Sequence, residues 1–526
     1  MARRHCAPLT KQVVTRGTPA VIGLDIGTSA VKGILAAGGD RIVMRRERSH
    51  PLSVGAGGRA EVDARRVLAG AEGLIRSLAE AARTGGLDVR VICAGGSGDE
   101  AVWLDVRHEP VAPIPMSLDT RSEADGEAFA AAIGRERLVG LTGLPPAGAY
   151  PLVRMRWLAR TLPAVRARVH RLLAWPEYLA QSLGVEEASE PTLAARTAAF
   201  GIREGRYLPE LLAAAAVDPA VLAPVAPTGT ILGLIPAKRA EALGLGPEVS
   251  VVTGGFDQAM ATLGAGVRNP GIAHIGAGSW EAVTILVDGI PDNRLVLAGY
   301  SAGPSIGADG RWSVMASGPG ASALAWLGGL WRGAPAQASR RAFAAAAGAP
   351  DGPTGLIVLP HLDGAAAPHP ERHARAVIAG LDLFAGPERI ARAMLEGVAL
   401  DLAERLDRLA ADGHRFEELR VSGGGARDGR WLQLKADVTG IPVRSVVPAD
   451  AGTVAAAALA AQALGIRTSL AEAVDALHGP GFIFEPRPPV RAAYLEMAAR
   501  RRALRSALGL QPPGRVTSEP SSLAGA

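Results

Sequence analysis

An aspartate, two hydroxyls and a lysine stand among glycines in GLDIGTSAVKG, residues 23–33. The apolar entry Ala20-Val21-Ile22 and the run after Ser29 read as two strands, which puts the polar residues on a strand–turn–strand device. Glycine-permitted turns present successive backbone N–H groups to an anion, and short hydroxyls add donors. An acid beside such a turn can hold Mg²⁺ through water. Asp25, Gly27, Thr28, Ser29 and Lys32 are therefore candidates for a phosphate and metal cradle, with a plain tight hairpin as the alternative. Lys32 either adds charge there or is a solvated strand residue. The spacing is neither the G-x-G-x-x-G of a dinucleotide fold nor the G-x-x-x-x-G-K-[ST] of a Walker loop.

Two further glycine turns follow. HIGAGSWEA offers Gly276, Gly278 and the hydroxyl of Ser279, again between two strand-like runs. SGGGARD sets Gly423, Gly424 and Gly425 ahead of a helix, where bare backbone lets a flat ring or ribose approach. Asp257 stands at the end of VSVVTGGF, and a carboxylate at a strand end facing a cleft can take the proton of an attacking hydroxyl. Its competing reading is a cap on the helix that begins near Gln258. The run PHLDGAAAPHPERH gathers His361, Asp363, His369, Glu371 and His373, but Pro370 interrupts it and no helical metal pair forms, so it reads as a cleft-side or solvated loop.

The elements that must position these residues alternate between strand and helix. VIGLDIG, VKGILAA and RIVMRRERS read as strands, a helix runs from about Ala64 to Ala82, and VRVICAGG is a buried strand. Residues 151–183 read as helical with a break at Pro163, and a proline-spaced connector covers 217–236. In the helix expected at 387–411, Ile390, Met394, Val398, Leu402, Leu406 and Leu409 keep a core-facing period. Both halves open on strand, glycine turn, strand, which suggests a duplication with a cleft between. The expected divisions are a loose tail at 1–19, a first domain at 20–246, a second at 247–490, and a C-terminal helix and tail at 491–526.

Composition narrows the class. The chain has 526 residues, 48% hydrophobic and 20% charged, enough for two sizeable cores. A net charge of +5 with dispersed basic residues and 4% aromatics gives nucleic-acid binding little support. Two cysteines, Cys6 and Cys93, cannot form a disulfide framework and fit a cytoplasmic protein. No run of about 18 apolar residues suggests a membrane span, and the basic opening lacks the apolar core of a signal peptide.

Taken together and in order, these motifs resemble the FGGY family of carbohydrate kinases, within the actin, hexokinase and heat-shock-protein ATPase superfamily. The resemblance runs from about residue 20 to 490. GLDIGTSAVKG resembles the first phosphate motif, TGGFDQAMATLGAG the catalytic-acid segment and GSWEA the second phosphate motif; SGGGARDGRWLQLKADVTGIPV with DAGTVAAAALAA resembles the adenosine segment. AYPLVRMRWLA and AVIAGLDLFAGPERIARAMLEG resemble the two family signatures. The resemblance implies an α/β fold of two ribonuclease-H-like (actin-like ATPase) domains flanking a nucleotide and substrate cleft. It implies ATP and Mg²⁺ as cofactors and a small sugar or polyol as substrate. Asp257 takes the base position, Asp25 and Asp257 lie near the metal's water shell, and Gly424, Gly425 and Asp428 lie along the nucleoside. Glu100 in GSGDEAVWLD, Asp119 and Arg121 in SLDTRSEAD, and Gln258 beside the acid take acceptor-contact positions. Homodimers are common among proteins of this resemblance.

The chain also departs from the pattern. Ser97-Gly98-Asp99-Glu100 replaces the Gln-Met-His-Gly of xylulose kinases, and GSWE resembles the Gly-Thr-Trp-Glu of fuculokinases. Asp450 stands in place of glutamate, Ala455 in place of glycine, and Ala365 to Ala367 in place of a polar loop. These point to an unusual acceptor pocket. The alternative to a kinase is a sugar- and nucleotide-binding sensor of the same fold with weakened catalysis.

Overall fold

The computed structural model describes residues 17–308, 310–334 and 337–510. Cys6, most of the tail expected at 1–19 and the end of the chain from 511 lie outside them. Two mixed sheets dominate, and they share one wiring pattern. In the first, β1 (Thr18–Ile26) pairs antiparallel with β2 (Ala30–Ala37), which pairs with β3 (Arg41–Ser49). On its other side β1 runs parallel to β4 (Leu87–Gly96). Beyond β4 come β5 (Ile231–Leu234) at the edge and β6 (Ser250–Phe256) between them, parallel to β4.

The second sheet repeats this. Its central strand β7 (Ile272–Ala277) pairs antiparallel with β8 (Trp280–Asp288); beyond β8 come β9 (Ser301–Pro304) at the edge and β10 (Arg311–Pro319) between them. On the far side β7 runs parallel to β11 (Glu418–Ser422), then β12 (Val443–Ser445) and β13 (Ile483–Phe484). The repeated opening seen in sequence is thus a repeated topology.

Two of the expectations change. Strand β6 belongs to the first sheet, and so the second domain does not begin at 247. The helix Asp257–Gly264, which follows β6 directly, carries the first unit on to Gly264. The helix expected across 151–183 is broken by more than Pro163. Helices at Pro151–Thr161 and Trp175–Ser182 flank a strand, Arg171–Leu173, whose buried Leu172 and Leu173 pair with Trp103 and Val102. Pro163 itself opens a further short helix, Pro163–Arg166, and only beyond it does the chain extend along that edge.

Helices cover both faces of the first sheet. α1 (Ala64–Thr84) starts at Asp63, whose carboxylate accepts the Arg65 N–H at 2.9 Å. It buries Val67, Ala71, Leu74, Ile75 and Leu78, one stripe at helical spacing, against Ile22, Leu24 and Leu35. The opposite face is covered by α2 (Asp257–Gly264) and by an alanine-rich helix from the C-terminal half. In the second domain α3 (Pro387–Ala411) and α4 (Gly429–Thr439) pack behind the sheet. The alanine helix is α5 (Ala451–Ala463), and α6 (Pro488–Ala507) closes the described chain.

Helix α5 has Ala455 to Ala458 fully buried and reaches the sheet backbone itself. A Cβ on Gly23 of β1 would lie 2.5 Å from the Thr453 carbonyl and 2.6 Å from the Ala457 nitrogen. Gly264 at the end of α2 meets the same helix, and a Cβ there would run into the Ala451 carbonyl. Replacing Gly264 with alanine is expected to lower unfolding stability by roughly 1–3 kcal/mol, the cost of overpacking a closed contact. Denaturant unfolding checks this, and an unchanged midpoint would show that the two helices can part at no cost.

Candidate active site

Asp25 ends β1 and Asp257 follows β6, with β4 between them. Asp25 lies opposite Gly95 in the register, and Phe256 lies opposite Gly96. Two inter-strand spacings separate the acids, about 10 Å of backbone, and the residues between them carry no side chain. Asp257 is the first residue of α2, where its carboxylate takes a hydrogen bond from the Gln258 N–H. Oδ1 of Asp25, Oδ1 of Asp257 and Oε1 of Gln258 are all buried without a hydrogen-bond partner.

Unpartnered buried carboxylates resist ionisation. Burial raises the Asp257 carboxyl well above the usual range, and the charges of Asp25, Glu100 and Asp99 raise it further. Burial likewise pushes Asp25 up to about 6, against the pull of Lys32 and with the push of Asp450. Lys32 is paired rather than merely solvated. Its Nζ lies 3.2 Å from Asp450, and although burial opposes its charge, Asp450 and Asp25 keep its pKa raised. Asp450 also meets Arg427 of the second domain at 3.3 Å. Across the cleft, then, Lys32, Asp450 and Arg427 form a continuous charged tie.

The three glycine turns share one crevice of about 980 Å³, the size of a cofactor site. Ser29, Lys32 and Glu47 line it from the first domain, and Gly278, Ser279, Gly424, Gly425, Arg427, Asp428 and Trp431 from the second. Gly27 and Thr28 belong to the same turn as Ser29, which His50 braces by bonding the Thr28 carbonyl at 2.9 Å. Gly424 stands open, with nothing near an added Cβ, whereas Gly425 is packed between Ala277 and Trp431. The Asp428 carboxylate caps α4, accepting the Arg430 and Trp431 N–H groups at 2.9 and 3.2 Å. Gly276 stays within β7, where it faces the Gln258 amide instead of the crevice.

Of the residues expected to contact the acceptor, Glu100 in one loop and Asp119 and Arg121 in a downstream stretch take different roles in the structure. Glu100 is fully buried, accepting from Ser97 Oγ and from the Ser117 N–H at 2.8 Å, and its charge is felt at Asp257. Asp119 and Arg121 act as a brace. Asp119 accepts the Ala60 N–H at 3.0 Å, and Arg121 binds Asp119 and Glu61 while lying 4.8 Å over the Trp157 ring. Neither residue lines the crevice.

Other residues near Asp257 carried no motif. Arg196 pairs with Asp99 at 2.6 Å. Thr192 Oγ1 accepts the Phe256 N–H at 2.9 Å and donates to the buried Glu190, which also accepts from Thr228 at 2.6 Å, so a hydroxyl–carboxylate chain holds the backbone leading into Asp257. Asp99, beside Glu100 in a glycine-bounded stretch, was the one detectable signal. Among the described residues no group of three or more His, Cys, Asp and Glu could hold a metal ion, which includes the 361–373 loop. No described helix is long and apolar enough to cross a membrane.

Comparison with known proteins agrees with this architecture. The profile for the "FGGY family of carbohydrate kinases, N-terminal domain" matches residues 20–264, and that for the C-terminal domain matches 277–464. A xylulose kinase of Lactococcus lactis is 25% identical over 90% of this chain and 94% of its own. A glycerol kinase of Rhodopirellula baltica is 27% identical over 93% of this chain and 90% of its own. The solved xylulose kinase of Lactobacillus acidophilus superposes with a TM-score of 0.82 at 21% identity, covering 93% of this chain and 98% of its own, a likeness of fold.

The raised Asp25 carboxyl has a consequence for stability. A carboxyl whose folded pKa exceeds its unfolded value stabilises the fold below the unfolded value and loses that contribution as pH rises through the folded one. For Asp25 the window runs from its ordinary 3.8 up to about 6. Asp25→Asn should therefore make the ligand-free protein more stable than the parent at pH 8, by roughly 1–3 kcal/mol, with the gap closing toward pH 4. Thermal unfolding at the two pH values checks it; a pH-independent gap would deny the cause.

Proposed function

The chain belongs to the FGGY family of carbohydrate kinases, and on that premise we propose that it transfers the γ-phosphoryl group of ATP to a hydroxyl of a small ketose, deoxy-ketose or polyol, with Asp257 as general base. The supporting observation is the convergence of Asp25 and Asp257 across Gly95 and Gly96, beside a crevice lined from both domains. Phosphoryl transfer asks little covalent chemistry of a protein; it asks for an aligned hydroxyl, a proton acceptor and neutralised phosphate charge.

Asp257, held at the head of α2, accepts the proton of the attacking hydroxyl. Its raised affinity for a proton suits that task, since a carboxylate of ordinary pKa would take up a hydroxyl proton less readily. Gln258, with an unpartnered oxygen beside it, orients the acceptor. The turn Gly27-Thr28-Ser29 and Lys32 hold the triphosphate from one side, and Gly278 and Ser279 from the other. Gly424 admits the nucleoside against the wall formed by Trp431. The donor set fits a hydrated Mg²⁺, because Asp25 and Asp257 each keep a buried oxygen without a partner. Water and the nucleotide phosphates would supply its remaining ligands, since among the described residues no group of three or more His, Cys, Asp and Glu could hold a metal ion. When bound, the ion supplies charge neutralisation on the phosphates. A grip from two domains also excludes water, which protects ATP from hydrolysis.

Asp257→Asn is expected to lower acceptor-dependent ATP turnover by about 10²–10⁴-fold while leaving nucleotide affinity within a few-fold of the parent. A coupled assay over ketoses, deoxy-sugars and polyols, with nucleotide binding measured separately, tests this. An unchanged rate removes Asp257 from its role, and turnover in the parent indifferent to every acceptor favours the sensor.

A further inference from the structure

Beside Asp257 lies a built ion pair that no motif announced. Arg196 Nε and one terminal nitrogen both reach Asp99 Oδ1, at 2.8 and 2.6 Å. The guanidinium lies 5.0 Å from the Phe256 ring and 5.4 Å from that of Tyr150, held between two aromatic faces. Gly98 makes this possible: a Cβ there would sit 2.7 Å from Arg196 Cγ and 3.1 Å from Phe256. Arg154, buried beneath, pins the Asp99 carbonyl at 3.0 Å and spends its other hydrogen bonds on the carbonyls of Pro115 and Met116. The Arg196 side chain is 9% exposed, and that of Asp99 is 22% exposed. Arg196 also lines a small cavity of about 30 Å³ with Phe256 and Gln258, closed by Thr284 and Ser301 of the second domain.

The charge around this spot is lopsided. Asp99 and Glu100 both act on Asp257 through space, and the nearby Arg196 has its charge matched by Asp99. Resting on the kinase reading above, we propose that the Asp99–Arg196 pair is an acceptor filter that admits uncharged polyhydroxy compounds and rejects sugar acids. A carboxylate entering here meets three acids, Asp99, Glu100 and Asp257, against two arginines: Arg196, matched by Asp99, and Arg154, which is buried and gives its hydrogen bonds to backbone carbonyls. A vicinal diol finds acceptors instead, since the outer oxygen of Asp99 and the acids around Asp257 suit O–H donors. Discrimination by an unpaired charge in a partly desolvated pocket is strong, because a mismatched carboxylate keeps its desolvation cost and gains nothing.

The test compares neutral ketoses and polyols with aldonates of matched chain length, D-gluconate and D-xylonate, by kcat/KM. In the parent the aldonates are expected to fall at least about 100-fold below the best neutral acceptor. Asp99→Asn removes one repelling charge and frees that of Arg196. It should raise the ratio of aldonate to neutral kcat/KM by about 10-fold or more. Arg196→Gln, which leaves Asp99 unpaired, should not raise it. Asp99→Ser is made alongside in case the asparagine variant folds poorly, and calorimetric titration with D-gluconate and with the best neutral acceptor gives the corresponding ratio of affinities where turnover is slow. A parent that uses aldonates as well as ketoses, or an Asp99→Asn ratio equal to the parent's, overturns the filter while leaving the kinase reading intact. Turnover in the parent indifferent to neutral and acidic acceptors alike overturns both.

Discussion

The approach of an alanine helix to a bare strand backbone governs the rest of this molecule. Helix α5 lies against Gly23 of β1 and Gly264 of α2 so closely that neither position has room for a methyl group. The strand end bearing Asp25, the helix start bearing Asp257 and the cap position of Asp450 are drawn together by that contact. A larger side chain on any of these surfaces would push the layers apart and dilute the charge cluster. The cluster is unfavourable in the ligand-free fold, since burial raises both carboxyls, each with an unpartnered oxygen, and the charge of Asp25 raises Asp257 further. Tight apolar packing holds it there, and stability is given up where function needs charge.

The second domain is tied to α2 by polar contacts. Thr262, one turn beyond Gln258, donates to the Gln258 carbonyl at 2.7 Å and meets His274 Nδ1 at 3.1 Å. His274 Nε2 in turn meets Ser422 Oγ at 2.8 Å, immediately before the Gly423–Gly425 turn. Burial pushes the histidine's pKa down to about 3, so the ring is neutral and can bridge a hydroxyl on each side. Behind the Gly276–Ser279 turn, Glu281 and Lys435 form a fully buried pair, with the ammonium 4.5 Å from the Trp431 ring that lines the crevice. Such a pair adds little net stability, but it leaves the two segments one way to fit. The turns of both domains are thereby referenced to α2.

The candidate site was legible wherever chemistry and local backbone coincide. A strand ending in glycines, an acid and hydroxyls is visible because strand period and turn residues are properties of a short window. GLDIGTSAVKG, HIGAGSWEA and SGGGARD were read that way, and their turns do meet in one crevice. The alanines of DAGTVAAAALAA were visible as a departure, but their meaning was not. Ala455 matters because of what Gly264 presents to it, and that partner lies far away in the chain.

What the chain determined by itself is therefore the strand–turn–strand openings, their repetition in the two halves and the acids at strand ends, since each is dictated by residues adjacent in sequence. Tertiary structure alone decided which sheet owned the strand before Asp257, that Asp119 and Arg121 brace a loop, that Asp428 caps a helix, and that Asp99 meets Arg196. Those are questions of which charges find partners after packing. A carboxylate looks the same in sequence whether an arginine elsewhere satisfies it or burial leaves it bare.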